Sequence, residues 1–282
     1  MADIIDLDAA EEAPKPRILV ISLEYLESFD DLINIFLTPM LDLALVQRVK
    51  KAATLTRLLT KEDAEPYSAL VLTDAALTLP ENLPLWEQCL AYMRRTDATA
   101  VLTGQVASFG LPDDLDELFG VSGLPDWKCG NYQRDVVVLN PKADGIRNGK
   151  HLDLSDKKSL KAAYSAKSLC LSGVKIEHRW YVPDLSEVGD GMGIAALLAQ
   201  GLSGWDPEKV GRQAAVAYGP VGEKGRIGWV GDVNNEPPSV KVILAMCGLD
   251  PAKANIINVE VRQPSGPAAM RWDAGEGRFV KV

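Results

Sequence analysis

Three short apolar runs, separated by stretches of helical periodicity, constrain the fold of this chain more than any other feature. The runs are Ile18–Ser22, Ser68–Thr73 and Ala98–Thr103. Consecutive apolar residues of this kind are typical of strands in a parallel sheet, which are buried on both faces. Apolar residues recur at helical spacing in Phe29–Leu37 and Leu85–Arg95. Strands that alternate with helices require crossover connections, so the sequence predicts an α/β fold with a doubly wound, mostly parallel flavodoxin-like sheet.

The segment between the first two runs is less regular. Pro39 is expected to kink or end the first helix, because proline lacks the N–H that a helix interior needs. A second helical pattern continues through Leu41–Lys51, and Ala53–Leu59 is predicted to be a weaker strand.

The second half of the chain has strand-like runs without long helices between most of them. Ala214–Tyr218 and Arg226–Val230 are joined through a glycine-containing turn and predict a hairpin. Pro238–Leu249 predicts a helix that ends near Gly248. Further strands are predicted at Asp135–Leu139, Ser168–Leu171, Val174–Val182, Met270–Trp272 and Arg278–Val282. The sequence therefore predicts an antiparallel β extension in the C-terminal half.

Composition divides the chain into a short leader and one domain. Residues 1–16 are rich in acidic residues, alanine and proline, which predicts a disordered acidic leader before a single domain at residues 17–282. The leader lacks the basic and apolar regions of a secretory signal, and no run approaches the roughly 18 apolar residues that span a bilayer. We therefore expect a soluble, cytoplasmic protein.

Charge and cysteine usage exclude several classes of partner and cofactor. A net charge of −9 and a pI near 4.9 argue against nucleic acid and anionic membranes, whose recognition depends on clustered Lys and Arg. The four cysteines show no C-x-x-C spacing, so no zinc site is indicated, and no other metal or cofactor is predicted. Cys129, beside Lys128 in the predicted loop Asp126–Tyr132, is either a packed thiol or an activated thiolate.

Polar residues follow all three of the strong strands. Glu24 and Tyr25 follow the first strand, Asp74 follows the second, and Gly104 and Gln105 follow the third. Carboxyl ends of parallel strands converge at one edge of a doubly wound sheet, where ligands bind. These five residues are therefore predicted to bind a small polar ligand, and the carboxylates could act as acid and base if burial raised a pKa.

The junction after the third strand is where this architecture places a nucleophile. Ser108 is the candidate, although Val106 replaces the first glycine of the usual G-x-[SC]-x-G pattern. A serine nucleophile also needs a base within hydrogen-bond reach. The only histidines are His151, in a polar loop, and His178, in a strand pattern, so the familiar order with histidine near the last strand does not occur. For His178 we favour a structural role.

A dense polar segment, Asp232–Glu236, follows the strand of the predicted hairpin and precedes two prolines. One interpretation is a capped loop, since Asn and Asp form local turns and the next helix needs acceptors for its free amides. The other is a polar wall for a small ligand, with Asp232 and Glu236 as catalytic candidates and Asn234 and Asn235 as binding candidates. A cation site is the least favoured interpretation.

Three segments carry a resemblance to a known family. Thr103–Gly110, the following Asp113–Val121 and the hairpin Lys224–Gly231 together resemble the class I glutamine amidotransferase-like superfamily. The resemblance is to its ThuA-like branch and to the trimerisation domain of certain β-galactosidases, and it extends over about residues 17–249.

This resemblance implies a nucleophile elbow after the third strand and a base near the last one. Working amidotransferases of the superfamily carry a cysteine at the elbow and His-x-Glu near the last strand. This chain has Gln105 or Ser108 at the first place and Asp232–Glu236 at the second. The resemblance therefore implies a glutamine amidotransferase-like domain that lacks the Cys-His-Glu triad.

The resulting hypothesis is a triad-less protein that binds a small polar metabolite at the sheet crevice or supports an assembly. The alternative is a metabolic enzyme, a hydrolase, lyase or isomerase, with carboxylate-based chemistry in the same crevice. A homo-oligomer built by analogy with the trimerisation domain is a third possibility.

Overall fold

A computed structural model describes residues 14–24, 26–61, 65–146, 160–184, 212–256, 270–273 and 278–281. Tyr25, His151 and most of the predicted leader lie outside the described residues. For the last two segments only the backbone is described.

Nine strands form one mixed sheet. Its order is β2-β1-β3-β4-β9-β8-β7-β5-β6, parallel from β2 to β9 and antiparallel from β9 to β6. The parallel half is consistent with the flavodoxin-like order 2-1-3-4-5. Strands β10 (Met270–Asp273) and β11 (Arg278–Lys281) pair separately as an antiparallel hairpin. The strands of the main sheet are β1 (Arg17–Ile21), β2 (Leu45–Val49), β3 (Ala69–Leu72), β4 (Thr99–Leu102), β5 (Lys128–Leu139), β6 (Ala163–Ser172), β7 (Arg179–Pro183), β8 (Val216–Val221) and β9 (Gly225–Val230).

Helices cover both faces of the parallel half. Alternate residues of β1 enter different apolar clusters: Ile18 and Val20 pack with the first and last helices, and Leu19 and Ile21 pack with the others. Burial of both faces explains why these strands are apolar throughout. In the described ranges no helix is long and apolar enough to cross a membrane. The helices within the described residues are α1 (Asp30–Leu43), α2 (Ala52–Thr60), α3 (Leu83–Thr96), α4 (Val106–Phe109), α5 (Pro112–Val121) and α6 (Pro237–Met246).

The region after β1 differs from the sequence prediction. Helix α1 continues through Pro39 to Leu43, since Pro39 is buried on the same apolar side as Ile33, Phe36 and Met40. Tertiary packing thus outweighs the missing N–H of the proline. The predicted helix Leu41–Lys51 is wrong, because Leu45–Val49 pairs with β1 as an edge strand. The predicted strand Ala53–Leu59 is also wrong: it lies in α2, which buries Leu55 and Leu59 one helical turn apart.

The antiparallel extension is confirmed, but its first strand is longer than predicted. Strand β5 begins at Lys128, so most of the predicted loop Asp126–Tyr132 is strand. His178 lies in a 3-10 turn, Ile176–His178, immediately before β7 rather than in a strand. The predicted hairpin is present as β8 and β9.

Strand β6 returns to the carboxyl end of β9. The Leu169 N–H donates to Gly231 O at 3.0 Å, and the Val233 N–H donates to Lys167 O at 3.0 Å. The indole N–H of Trp229 donates to Leu169 O at 2.9 Å. These bonds satisfy part of the outer edge of β6 and place β6 over the end of β9.

Candidate functional site

The carboxyl ends of β1 and β3 form the centre of the candidate site. The Ser22 and Thr73 hydroxyls, each one residue beyond its strand, lie 2.7 Å apart. The chain leaves β1 toward the α1 face and leaves β3 toward the α3 face, so the order of connections reverses here. A reversal of this kind opens a crevice at the strand ends, the usual ligand site of wound sheets.

Arg48 of β2 lies beside this pair of hydroxyls. Its Nε donates to Ser22 Oγ at 2.9 Å, and its Nη1 is 2.8 Å from Asp30 Oδ1 at the start of α1. Sequence reasoning missed Arg48 because its segment was predicted to be helical. No local signal in Leu45–Val49 marks Arg48, because the alternating exposure of this strand is visible only in the folded structure.

Asp74 is the most perturbed carboxylate of the crevice. It accepts the N–H of Glu24 at 3.1 Å and that of Ala76 at 3.1 Å. Burial raises the pKa of Asp74 to about 6, against the lowering effect of those two hydrogen bonds. Nearby Glu24 raises the pKa slightly further, and Arg48 lowers it. Asp74 can therefore exchange a proton near neutral pH.

Further acids act on Glu24 and on one another near this rim. Burial of part of the Glu24 side chain raises the pKa of its carboxyl group, and the negative charge of Glu81 raises that pKa further. Burial and then Glu117, Asp113 and Glu81 raise the pKa of Asp114 at the start of α5. Sequence reasoning missed Glu81 and Asp114, which lie in a turn-rich stretch and in a helix outside the three strand ends. As far as the described residues show, the crevice is thus rich in acceptors, and Arg48 is its positive charge.

Gly104 and Gln105 close the crevice on the β4 side. Gly104 has φ +62°, and a Cβ there would lie 3.1 Å from Thr73 O. The N–H of Gln105 donates to the same carbonyl at 2.9 Å, and the residue is 5% exposed. The left-handed residue of the strand-to-helix turn is therefore Gly104. Ser108 lies further on, half-buried within α4.

The amides of this turn are occupied within the protein. Those of Gln105, Val106 and Ser108 donate to Thr73 O, Thr103 O and Gln105 O at 2.9, 3.3 and 3.1 Å. Stabilisation of an oxyanion needs donors directed at the substrate oxygen. These three amides do not supply such donors in this conformation.

Asp232 acts as a loop cap. Its carboxylate accepts the N–H groups of Asn234 at 3.0 Å and of Glu236 at 2.8 Å, just before α6. The residue is 1% exposed, and burial raises its pKa. A side chain enclosed in this way is not accessible to a substrate, so the geometry favours the capped-loop interpretation.

The rest of that loop is also held by internal contacts. Asn235 has φ +52°, is 2% exposed, and donates from Nδ2 to Leu32 O of α1 at 2.9 Å. Glu236 pairs with Arg134 of β5 at 3.3 Å. Because Leu102 and Trp229 are partners in the parallel register, Gln105 and Asp232 lie beyond the same edge of the sheet. Nevertheless, Glu24, Asp74 and Gln105 form one set of contacts in the structure, and Asp232–Glu236 form a separate set.

Two solved structures similar to the chain are ThuA-like proteins. One, from Bacteroides uniformis ATCC 8492, has 12% sequence identity and a TM-score of 0.37, covering 57% of this chain and 62% of that chain. The other, from Parabacteroides merdae ATCC 43184, has 10% identity and a TM-score of 0.45, covering 84% of this chain and 92% of that chain. The chain thus spans less than two thirds of the first structure. No family model and no curated protein matches the chain. No inference about activity follows from similarities this distant.

The remaining chemical candidates lie away from the crevice. Burial, followed by the charge of Asp116, raises the pKa of the Cys129 thiol to about 12, so Cys129 is not an activated thiolate. His178 packs against Gly219, whose partner Ile227 lies in the amino-terminal half of β9. Within the described ranges no three His, Cys, Asp or Glu side chains are arranged to hold a metal ion.

Proposed function

We propose that this chain is a distant glutamine amidotransferase-like domain that binds a small polar metabolite at the carboxyl ends of β1, β3 and β4. The observation that carries the proposal is Asp74, a partly buried carboxylate placed at the reversal point of the sheet beside Glu24, with its pKa raised to about 6. Two amides occupy two of the roughly four acceptor positions of its carboxylate, which leaves positions for ligand donors.

The acidic rim indicates the chemistry of the ligand. The negative charge of Glu24 acts on Asp74, and that of Glu81 acts on Glu24 and on Asp114. Hydroxyl and ammonium groups are donors that such a site favours, whereas a carboxylate or phosphate would be repelled. We therefore expect a polyhydroxylated or amine-bearing metabolite.

Ligand binding offers the direct test of this proposal. Polyols, amino sugars, amino acids and polyamines are screened by thermal shift, and hits are measured by calorimetry. Asp74→Asn should weaken binding of a hit about tenfold, since it removes a charge-assisted hydrogen bond. Asp42→Asn is the control. Asp42 is exposed near the C-terminal end of α1, whereas the crevice lies at the N-terminal end of that helix, so this change should leave affinity unchanged. Equal losses in both variants, or no hit at all, would refute the proposal.

Glutamine hydrolysis by the thiol mechanism is not expected, and restoring the thiol should not create it. Gly104→Cys places a side chain at φ +62° and 3.1 Å from a backbone oxygen, which should cost about 1–3 kcal/mol of stability. His178 lies toward the other edge, so the new thiol would find no histidine among the described residues. Ammonia release from glutamine should stay at background in wild type and variant. Turnover by either protein would contradict this expectation.

A second candidate function is carboxylate-based catalysis, and the pKa of Asp74 near 6 specifically favours it. A group with such a pKa can act as general acid or base at neutral pH. Assaying the same library for turnover separates the two functions. Turnover that Asp74→Asn abolishes while affinity is largely retained would favour the enzyme, whereas binding without turnover would favour the binding protein.

Support of an assembly is a further use that the same fold allows. Size-exclusion chromatography with light scattering across a hundredfold concentration range distinguishes it. A concentration-independent monomer would exclude a homo-oligomer.

A further inference from the structure

A cavity of about 350 Å³ lies at the opposite edge of the sheet from the crevice. It is bounded by the C-terminal ends of α2 and α3 and by the segment that leads into β3. Its lining includes Leu58, Pro66, Tyr67, Tyr92, Lys61 and Arg95. The sequence prediction, directed to the carboxyl edge, did not include this cavity.

Two tyrosines form one wall of the cavity. The ring centroids of Tyr67 and Tyr92 are 6.4 Å apart. The Arg17 guanidinium lies 4.5 Å from the Tyr67 centroid, and that of Arg95 lies 4.9 Å from the Tyr92 centroid. Burial raises the pKa of Tyr92, and Arg95 and Arg17 both oppose that rise. The positive charges of Arg17 and Arg95 therefore both lie against the aromatic wall of the cavity.

Both guanidinium groups are held by carbonyls rather than by carboxylates. Arg95 donates to Leu59 O near the end of α2, and Arg17 donates to Glu65 O. Within the described residues, none of the ion pairs involves Arg17, Arg95 or Lys61. Among the described residues that line the cavity, Glu65 is the one acidic residue. The cavity thus presents positive charge on a chain whose net charge is −9.

We propose that this cavity binds a small organic anion, with its charged group against Arg95 and Lys61 and its apolar body against the tyrosine rings. Guanidinium groups match planar carboxylates and remain charged at every physiological pH. The tyrosine rings with Leu58 and Pro66 supply the apolar surface typical of ligand pockets. The charge preference is opposite to that of the acidic crevice, so the two sites select different ligands.

Benzoate is the probe, with two controls of matched size or charge. Calorimetry should show saturable binding of benzoate, much weaker binding of inorganic phosphate, and none of benzamidine, which has the same ring and the opposite charge. Benzamidine binding as tight as that of benzoate would overturn the proposal, because the site would then not distinguish an anion from a cation. Phosphate binding as tight as benzoate would overturn the role of the rings.

Variants locate the site. Arg95→Gln should weaken benzoate binding about tenfold and Lys61→Gln about threefold, in line with loss of one charge-assisted contact and of one exposed charge. Lys61 is exposed, so its variant keeps the test valid if Arg95→Gln does not fold. Arg57→Gln, in the last turn of α2 but not lining the cavity, is the matched control and should bind as wild type does. Absence of benzoate binding, or equal losses in Arg57→Gln and Lys61→Gln, would overturn the proposal. Asp74→Asn, in the crevice, should not change benzoate affinity. The proposal for the cavity can therefore be refuted without refuting the proposal for the crevice, and the reverse also holds.

Discussion

Gly231→Ala should lower the free energy of unfolding by about 3 kcal/mol or more, the upper range for overpacked positions. A Cβ at this position would lie 2.0 Å from Leu169 O and 2.8 Å from the Trp229 indole nitrogen. The nearest atom, Leu169 O, belongs to the backbone and accepts the Trp229 indole N–H, and the N–H of Leu169 donates to Gly231 O, so this atom cannot move without breaking the contact between β6 and β9. Chemical denaturation monitored by tryptophan fluorescence measures the effect.

The matched control for this change is Gly120→Ala. Gly120 lies in α5 with nothing within 4 Å of a Cβ. Alanine is the better helix former, so this substitution should be neutral or stabilise the protein by up to about 1 kcal/mol. If both variants unfold at the same denaturant concentration, β6 does not lie over the end of β9 as described.

Asp74→Asn should change the pH dependence of stability as well as ligand affinity. Burial raises the pKa of Asp74 to about 6 in the folded protein, above the ordinary value of 3.8. Between these two values the native state holds more protons than the unfolded chain, so the stability of the wild type falls as pH rises through this window. A shift of about two pKa units corresponds to roughly 3 kcal/mol. The variant lacks this titration, so relative to wild type it should gain about 2–3 kcal/mol between pH 4 and pH 7.

The comparison across pH removes a separate effect of the substitution. An asparagine side chain presents one acceptor oxygen, so it loses one of the amide bonds that Asp74 makes with Glu24 and Ala76. That loss is the same at every pH and cancels in the difference between pH 4 and pH 7. Asp42→Asn controls for the removal of one carboxylate from an acidic protein. A difference between Asp74→Asn and wild type that does not vary with pH would show that Asp74 is not held in a desolvating environment.

The local sequence pattern was sufficient to predict an element wherever the residues of that element alone determine whether it is buried. The runs Ile18–Ser22, Ser68–Thr73 and Ala98–Thr103 correspond to β1, β3 and β4, because an apolar run bounded by turns has few places other than the middle of a sheet. These runs also locate the ends of the strands, so the sequence predicts that Glu24 and Asp74 lie close together. The structure joins these two residues by a hydrogen bond. Pattern failed in Leu41–Leu59, where short segments carry both helical and strand periodicity and pairing with β1 decides between them.

Residues contributed by other elements could not be foreseen in this way. Arg48 reaches the crevice from an edge strand, Glu81 acts on Glu24 from a turn, and Asp114 lies within the electrostatic reach of Glu81 at the start of α5. Their contribution depends on distances across the fold, which no local spacing encodes. The same holds for the cavity beside Tyr67 and Tyr92, which forms only when α2 and α3 pack side by side.

The sequence by itself determined the wound sheet, its antiparallel extension and the edge at which polar residues gather, because alternation of apolar runs and helices leaves few other ways to bury both faces of the strands. Only the tertiary structure decided which of those polar residues face a crevice. Asp74 is desolvated beside Glu24, whereas the Asp232 carboxylate accepts the amides of its own loop, next to Ser168 of β6. The physical reason is that hydrogen-bond partners and burial come from segments distant in sequence, and these set the accessibility and pKa of each carboxylate.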